Sequence, residues 1–200
     1  MNTNRTQQTL ERLSALLRSE SRALLNDYGL QPVQYEALYY LSVSNRYSNT
    51  AKAVTEFLGQ TKGTISQTLK VLEKKGLISR QVDDVDKRIS HLLVTPAGQA
   101  LIKQLRPSPI LNLTCQQLEV GEFDNINQSL TRLLSQLQAA NQFKTFGQCH
   151  SCIYNVRVSK SQFLCDLTRE PLSKAETGLI CREHLENINS HEANRIPQAD

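Results

Sequence analysis

Over the first 140 positions apolar residues return at helical spacing, and beyond them the rhythm stops. Leu10, Leu13, Leu17 and Leu24 form one stripe, predicting a helix over residues 6–27 that ends at Gly29. Tyr35, Leu38 and Leu41 predict a second helix from Pro32 to Val43. Ala53, Val54, Phe57 and Leu58 predict a short third one over residues 50–58, broken by Gly59. Thr61 then has the side chain of an N-cap, and Ile65, Leu69 and Leu72 form the inner stripe of a fourth helix that stops at Gly76. Two strands follow, residues 77–82 and 90–95, around a polar turn from Asp83 to Arg88. A further helix begins at Pro96, a residue suited to a first helical turn, and Pro107 and Pro109 interrupt it. Phe123, Ile126, Leu130, Leu133 and Leu137 repeat at alternating steps of three and four, so residues 119–140 read as a long helix with a heptad seam.

A short helix, a turn, a second helix and a hairpin make up the order of a winged helix-turn-helix. On the fourth helix, Gly63, Gln67, Lys70 and Lys74 lie opposite the inner stripe, flanked by Thr64 and Ser66. Small residues near a helix N-terminus allow close entry into the major groove of double-stranded DNA. Gln67 can pair with base edges, and Thr64 or Ser66 with bases or phosphates. Lys70, Lys74 and Lys75 suit phosphates on either side, and the helix start at Thr61 and Lys62 is itself an anion site. Lys87 and Arg88 at the hairpin tip can reach the minor groove or a phosphate.

Charge follows the same division. Residues 1–106 hold 15 Lys and Arg against 9 acids, and residues 107–200 hold 8 against 10, within an overall +4. No apolar run is long enough to cross a membrane, and the first residues lack the pattern of a signal peptide, so a cytoplasmic chain is expected. No HExxH pattern, Gly-rich phosphate loop or nucleophile–base pair is present, which argues against an enzyme. A protein-binding adaptor would carry apolar anchors on the outer face of the fourth helix, and that face has none.

From Tyr35 to Gly98 the chain resembles the MarR family of bacterial regulators. The carriers are Thr61-Lys62-Gly63-Thr64-Ile65-Ser66, Leu72-Glu73-Lys74-Lys75-Gly76-Leu77-Ile78, Asp86-Lys87-Arg88 and Leu93-Val94-Thr95-Pro96-Ala97-Gly98. The resemblance implies a homodimer built by the terminal helices on a palindromic operator, with Asp86 and Arg88 holding and presenting the wing. Two features depart from it: Asp83 and Asp84 add acid to the wing, and Pro107 and Pro109 divide the dimerisation region. The expected fold is therefore mainly α with a small β-hairpin wing. A winged helix-turn-helix domain with flanking dimerisation helices fills residues 1–140, and the expected role is a transcription regulator acting as a repressor.

A different chemistry follows. Cys149, Cys152, Cys165 and Cys181 crowd into 33 residues, whereas Cys115 stands alone in an apolar context that suggests a buried thiol. Cys149-x2-Cys152 is a knuckle that lets two thiolates grip one ion; Cys165 and Cys181 complete a tetrahedron, with His184 as an alternative ligand. Structural zinc and a redox- or iron-sensing iron–sulfur cluster both fit four thiolates; the long gaps favour zinc, and the need for a signal input favours iron–sulfur. This loop-rich cysteine module is expected over residues 141–186, followed by a polar, disordered tail over 187–200. His91 and His150 read as surface histidines.

Overall fold

The structure is a computed structural model describing residues 2–140 and 144–186. The expected tail, 187–200, lies outside the described residues. The chain divides into two compact units: Met1–Ser42 with Thr50–Gln128, and Val43–Asn49 with Ser129–Asp200.

In the first unit, helix α1 (Thr3–Asn26) starts where the Asn2 side chain accepts the Arg5 N–H. Leu25 is its one buried residue, and Leu13, Leu16 and Leu17 stay exposed, so its stripe is left uncovered in a single protomer. Helix α2 (Pro32–Val43) supplies the centre of the core with Tyr35, Ala37, Leu38, Tyr40 and Leu41. Helices α3 (Ala51–Leu58) and α4 (Lys62–Lys74) pack on each other through Ala53, Val54, Ile65, Leu69 and Leu72, all buried. Burying each large aliphatic side chain contributes roughly 1.5–3 kcal/mol.

Strands β1 (Ile78–Val82) and β2 (Ser90–Val94) form the antiparallel hairpin, in register from Ile78 opposite Val94 to Val82 opposite Ser90. Helix α5 (Pro96–Leu105) follows with Thr95 as its N-cap. The Thr95 hydroxyl donates to the Gly76 carbonyl at 2.6 Å and accepts from the Gly98 N–H, so one side chain ties the end of α4 to the start of α5. Gly98 is needed there: a Cβ would stand 2.3 Å from the Leu77 carbonyl oxygen and 2.7 Å from Val94 Cγ1. Pro107 falls between helices, and Pro109 opens α6 (Pro109–Gln117) under a Ser108 cap. Glu20 of α1 fixes that start, accepting from the Ser108 hydroxyl and, at 2.7 Å, from the Ile110 N–H. Helix α7 (Glu122–Ala140) keeps Ile126, Leu130, Leu134 and Leu137 exposed. Cys115 on α6 is exposed, correcting the expectation of a buried thiol: its helix buries no residue at all.

The cysteine-bearing unit takes in the loop between α2 and α3, Val43–Asn49. It is also more ordered than its loop-like sequence suggested. Strands β3 (Asn155–Arg157), β4 (Phe163–Cys165) and β5 (Glu170–Leu172) form an antiparallel sheet in that order. Three residues per strand is too short for a visible period of two, which is why the pattern was silent. Its buried residues include Phe146, Cys149, Leu172, Thr177 and His184, a small core for a folding unit.

Candidate nucleic-acid interface and cysteine cluster

The helix-turn-helix is set by its caps. The Thr50 hydroxyl accepts from Ala53 N, and Gly59 adopts a left-handed conformation, which turns the chain sharply after α3. The Thr61 hydroxyl accepts from Thr64 N at 3.1 Å and starts α4. Because Ile65, Thr68, Leu69 and Leu72 take the inner face, Lys62, Gly63, Thr64, Ser66, Gln67, Lys70 and Lys74 are all exposed, together with Thr61. Lys87 and Arg88 on the hairpin tip are exposed as well. All ten of these residues are therefore open to solvent.

Beside α4 runs a groove of about 490 Å³, lined by Ile65, Leu69, Lys52, Lys62, Lys70 and Arg80 among others. Lys52 and Arg80 were not picked out from the sequence; each sits on a neighbouring element, and only the packing of α3 and β1 against α4 brings them here. Glu56 also lines the groove, and Glu73 lies 3.8 Å from Arg80. Lys75 is exposed as well, and its Nζ donates to the Tyr28 carbonyl at 3.1 Å, which ties the end of α4 to the α1–α2 turn.

The wing is held by more than the expected pair. Asp86 accepts from the Arg88 N–H at 3.0 Å and lies 3.4 Å from its guanidinium. Asp83 does more: one oxygen accepts from Val85 N at 2.8 Å and Asp86 N at 2.7 Å, and the other meets His91 Nε2 at 3.0 Å. The Asp86 N–H, then the His91 ring and the Val85 N–H, pull the Asp83 carboxyl down to about 2. The extra acid of the turn is thus its internal brace. His91 is partly buried against Asp83 instead of being a plain surface histidine.

In the second unit the backbone brings the four clustered cysteines toward one another. Cys149 N donates to Leu179 O at 3.0 Å and Cys181 N to Gly147 O at 2.9 Å, which sets those two cysteines diagonally about the Gln148–Ile180 bridge. Cys152 closes the knuckle, its N–H donating to Cys149 O, and Cys165 pairs with Asn155 just beyond it. No disulfide joins them. Burial, then the nearby Cys152, Cys181 and Cys165, push the Cys149 thiol up to about 12. Among the described residues, no three His, Cys, Asp or Glu side chains are disposed to hold a metal ion as they stand.

His184 is occupied differently. It is buried, and its ring meets the Thr145 hydroxyl at Nδ1 (2.6 Å) and the Ser151 hydroxyl at Nε2 (3.0 Å). Each hydroxyl also donates to a backbone carbonyl, Thr145 to His184 O at 2.9 Å and Ser151 to Gln148 O at 3.0 Å. Burial lowers the pKa of His184. A Cβ on Gly147 would stand 2.5 Å from this ring, so the glycine lets the histidine lie flat beneath the knuckle.

Comparison with known proteins agrees with the first unit. The MarR family model matches residues 28–89. The transcriptional repressor MprA of Escherichia coli K12 is 27% identical over 131 residues, covering 64% of this chain and 74% of MprA. An uncharacterized HTH-type transcriptional regulator of Bacillus subtilis, YwaE, is 29% identical over 84 residues, 42% of this chain and 48% of that protein. The crystal structure of Staphylococcus aureus MepR in its DNA-binding conformation superposes with a TM-score of 0.57 at 25% identity, over 66% of this chain and 98% of MepR. The mainly helical fold with a small antiparallel hairpin is the winged-helix fold of these structures, and the relatives are transcription regulators, not enzymes. Since nearly all of MepR is matched, about a third of this chain has no counterpart in it. Among the described residues no helix is long and apolar enough to cross a membrane.

Proposed function

We propose that this chain is a sequence-specific DNA-binding repressor that acts as a homodimer on a palindromic operator, with a zinc ion held by Cys149, Cys152, Cys165 and Cys181. The observation that carries the DNA reading is the exposed outer face of α4, where Lys62, Lys70 and Lys74 surround the small and amide-bearing Gly63, Ser66 and Gln67. Inserted in the major groove, α4 offers Gln67 to base edges while the lysines and the Thr61 cap meet phosphates. Arg88 stands ready for the minor groove, its guanidinium steadied by Asp86. Two α4 helices of a dimer would lie about 34 Å apart to read successive half-sites. The exposed leucines of α1 and α7 supply apolar surface for that dimer. MprA is named a repressor and MepR has been crystallised with DNA; those properties support the same role here.

Zinc is favoured over an iron–sulfur cluster by the long spacings, and four thiolates over a set with His184 because hydroxyls engage both histidine nitrogens. A unit with so small a core gains much from a metal staple. The test is selection of duplexes from a random pool by the full-length protein, with metal analysis of the same sample. Lys70→Glu is expected to weaken all sequences, and Gln67→Ala to relax base preference. Unchanged affinity in both variants sinks the docking. About one zinc per chain without colour supports the ligand set; iron with sulfide and a brown chromophore replaces it with the cluster.

A further inference from the structure

The loop joining α2 to α3 is hydrogen-bonded along its length by the extended segment that carries Cys181. Ile180 N donates to Val43 O at 2.8 Å, and Asn45 N donates back to Ile180 O at 2.9 Å. One residue further, Arg182 N donates to the Ser48 hydroxyl at 2.8 Å; Ser48 is fully buried. On its other side this segment is bonded to the knuckle, through Cys149 N to Leu179 O and Cys181 N to Gly147 O. Residues 179–181 thus lie between the knuckle and the loop, with bridges from Ile180 to both Ser44 and Gln148.

Side chains reinforce the grip. Arg46 lies 3.1 Å from Glu170 and 3.4 Å from Glu176, and donates to the Pro171 carbonyl at 2.9 Å. The Tyr47 hydroxyl donates to Glu170 and accepts from Thr168. β5 and the turns on either side of it hold these partners, so the loop is clasped by the sheet that begins beyond Cys152 and passes through Cys165.

We infer that the cysteine site is a regulatory input to DNA binding, and that a thiophilic divalent ion bound there sets the conformation of residues 43–49. The inference rests on the four-cysteine zinc reading. Those seven residues lead directly into Thr50, the cap that starts the helix-turn-helix. With the ion bound, Cys149 and Cys181 are fixed, so residues 179–181 hold the loop. Without it, nothing cross-links the cysteines, residues 179–181 are held less firmly, and the loop regains freedom that DNA binding must then remove. The ion-loaded protein therefore binds DNA more tightly.

Nothing in the local sequence of 43–49 announces this role. The residues that make the clasp are separated from their partners by well over a hundred positions, as Arg46 is from Pro171 and Ser48 from Arg182.

The test uses the full-length protein and a duplex selected by its zinc-loaded form, with binding followed by fluorescence anisotropy. Removing zinc with a chelator is expected to weaken binding about tenfold or more, and adding zinc back to restore it. Arg46→Gln combined with Tyr47→Phe leaves all four cysteines in place. That variant is expected to keep one zinc per chain, yet to bind DNA as weakly as stripped wild type and not respond to zinc. Because it is measured zinc-loaded, this arm holds even if stripped wild type unfolds. Equal affinity of loaded and stripped wild type overturns the coupling while leaving zinc in place; so does a clasp variant with the full zinc response. A protein that takes up no zinc overturns the coupling together with the zinc reading, and metal analysis alone reveals that case.

Discussion

Replacing Gly98 with Ala tests the joint between the recognition helix, the wing and α5. The added Cβ would lie 2.3 Å from Leu77 O, 2.7 Å from Val94 Cγ1 and 3.3 Å from Leu38 Cδ1. Val94 Cγ1 and Leu38 Cδ1 belong to side chains and can shift. The Leu77 oxygen cannot do so freely, because it accepts the Thr95 N–H at 3.0 Å. Overpacking of this kind costs about 1–3 kcal/mol, and a clash with engaged backbone belongs at the upper end. Alanine recovers about 1 kcal/mol of helix propensity, since Gly98 lies within α5, leaving a net loss of about 2 kcal/mol. At this chain length each kcal/mol moves the midpoint by roughly 2–4 °C, so a drop of about 4–8 °C is expected. Thermal unfolding followed by far-ultraviolet circular dichroism reads it. Gly178→Ala is the control: nothing stands within 4 Å of its Cβ, and no shift beyond about 0.5 kcal/mol is expected. A Gly98→Ala protein that melts with wild type, or above it, refutes the account of this joint.

Two other outcomes follow from individual side chains. Asp83 has a folded-state pKa lowered from 3.8 to about 2, so its bracing of the wing is fully present above pH 3.8 and lost as pH falls through 2. Protection of the Val85 and Asp86 amides from exchange should hold down to about pH 4 and fall steeply below it; protection that persists through pH 2 would refute the Asp83 brace. Lys75→Gln should leave the salt dependence of DNA binding unchanged, because that ammonium is held by Tyr28 O. Lys70→Gln should flatten the slope by about 0.9 per lost phosphate contact, roughly 1.8 for a dimer, and an equal effect from both lysines would put Lys75 back at the phosphates.

The first unit was legible because its signals are local. Leucine stripes, the Thr61 cap, Pro96 at a helix start, and the glycines after α3 and α4 act within one or two turns of chain, and most helix and strand ends fall within about three residues of the expected positions. The exposed face of α4 followed from the same periodicity, since fixing Ile65, Leu69 and Leu72 inward leaves no freedom for the rest. Asp83 was read only as surplus acid, because its value depends on where two backbone amides and the His91 ring arrive after the hairpin closes. Lys75 looked like its neighbour Lys74 until α4 packed beside the Tyr28 turn.

The sequence by itself determined which residues form helices and the hairpin, which face of α4 meets solvent, and that four cysteines share one short stretch. Helical period, capping and spacing are properties of neighbouring residues, so they survive without knowledge of the fold. Only the tertiary structure decided that Lys52 and Arg80 flank α4, that His184 is locked between two hydroxyls, and that Val43–Asn49 joins the cysteine unit. Those placements depend on backbone hydrogen bonds and packing between segments far apart in the chain. Such bonds can form between almost any residues, and they leave no mark in the sequence on either side.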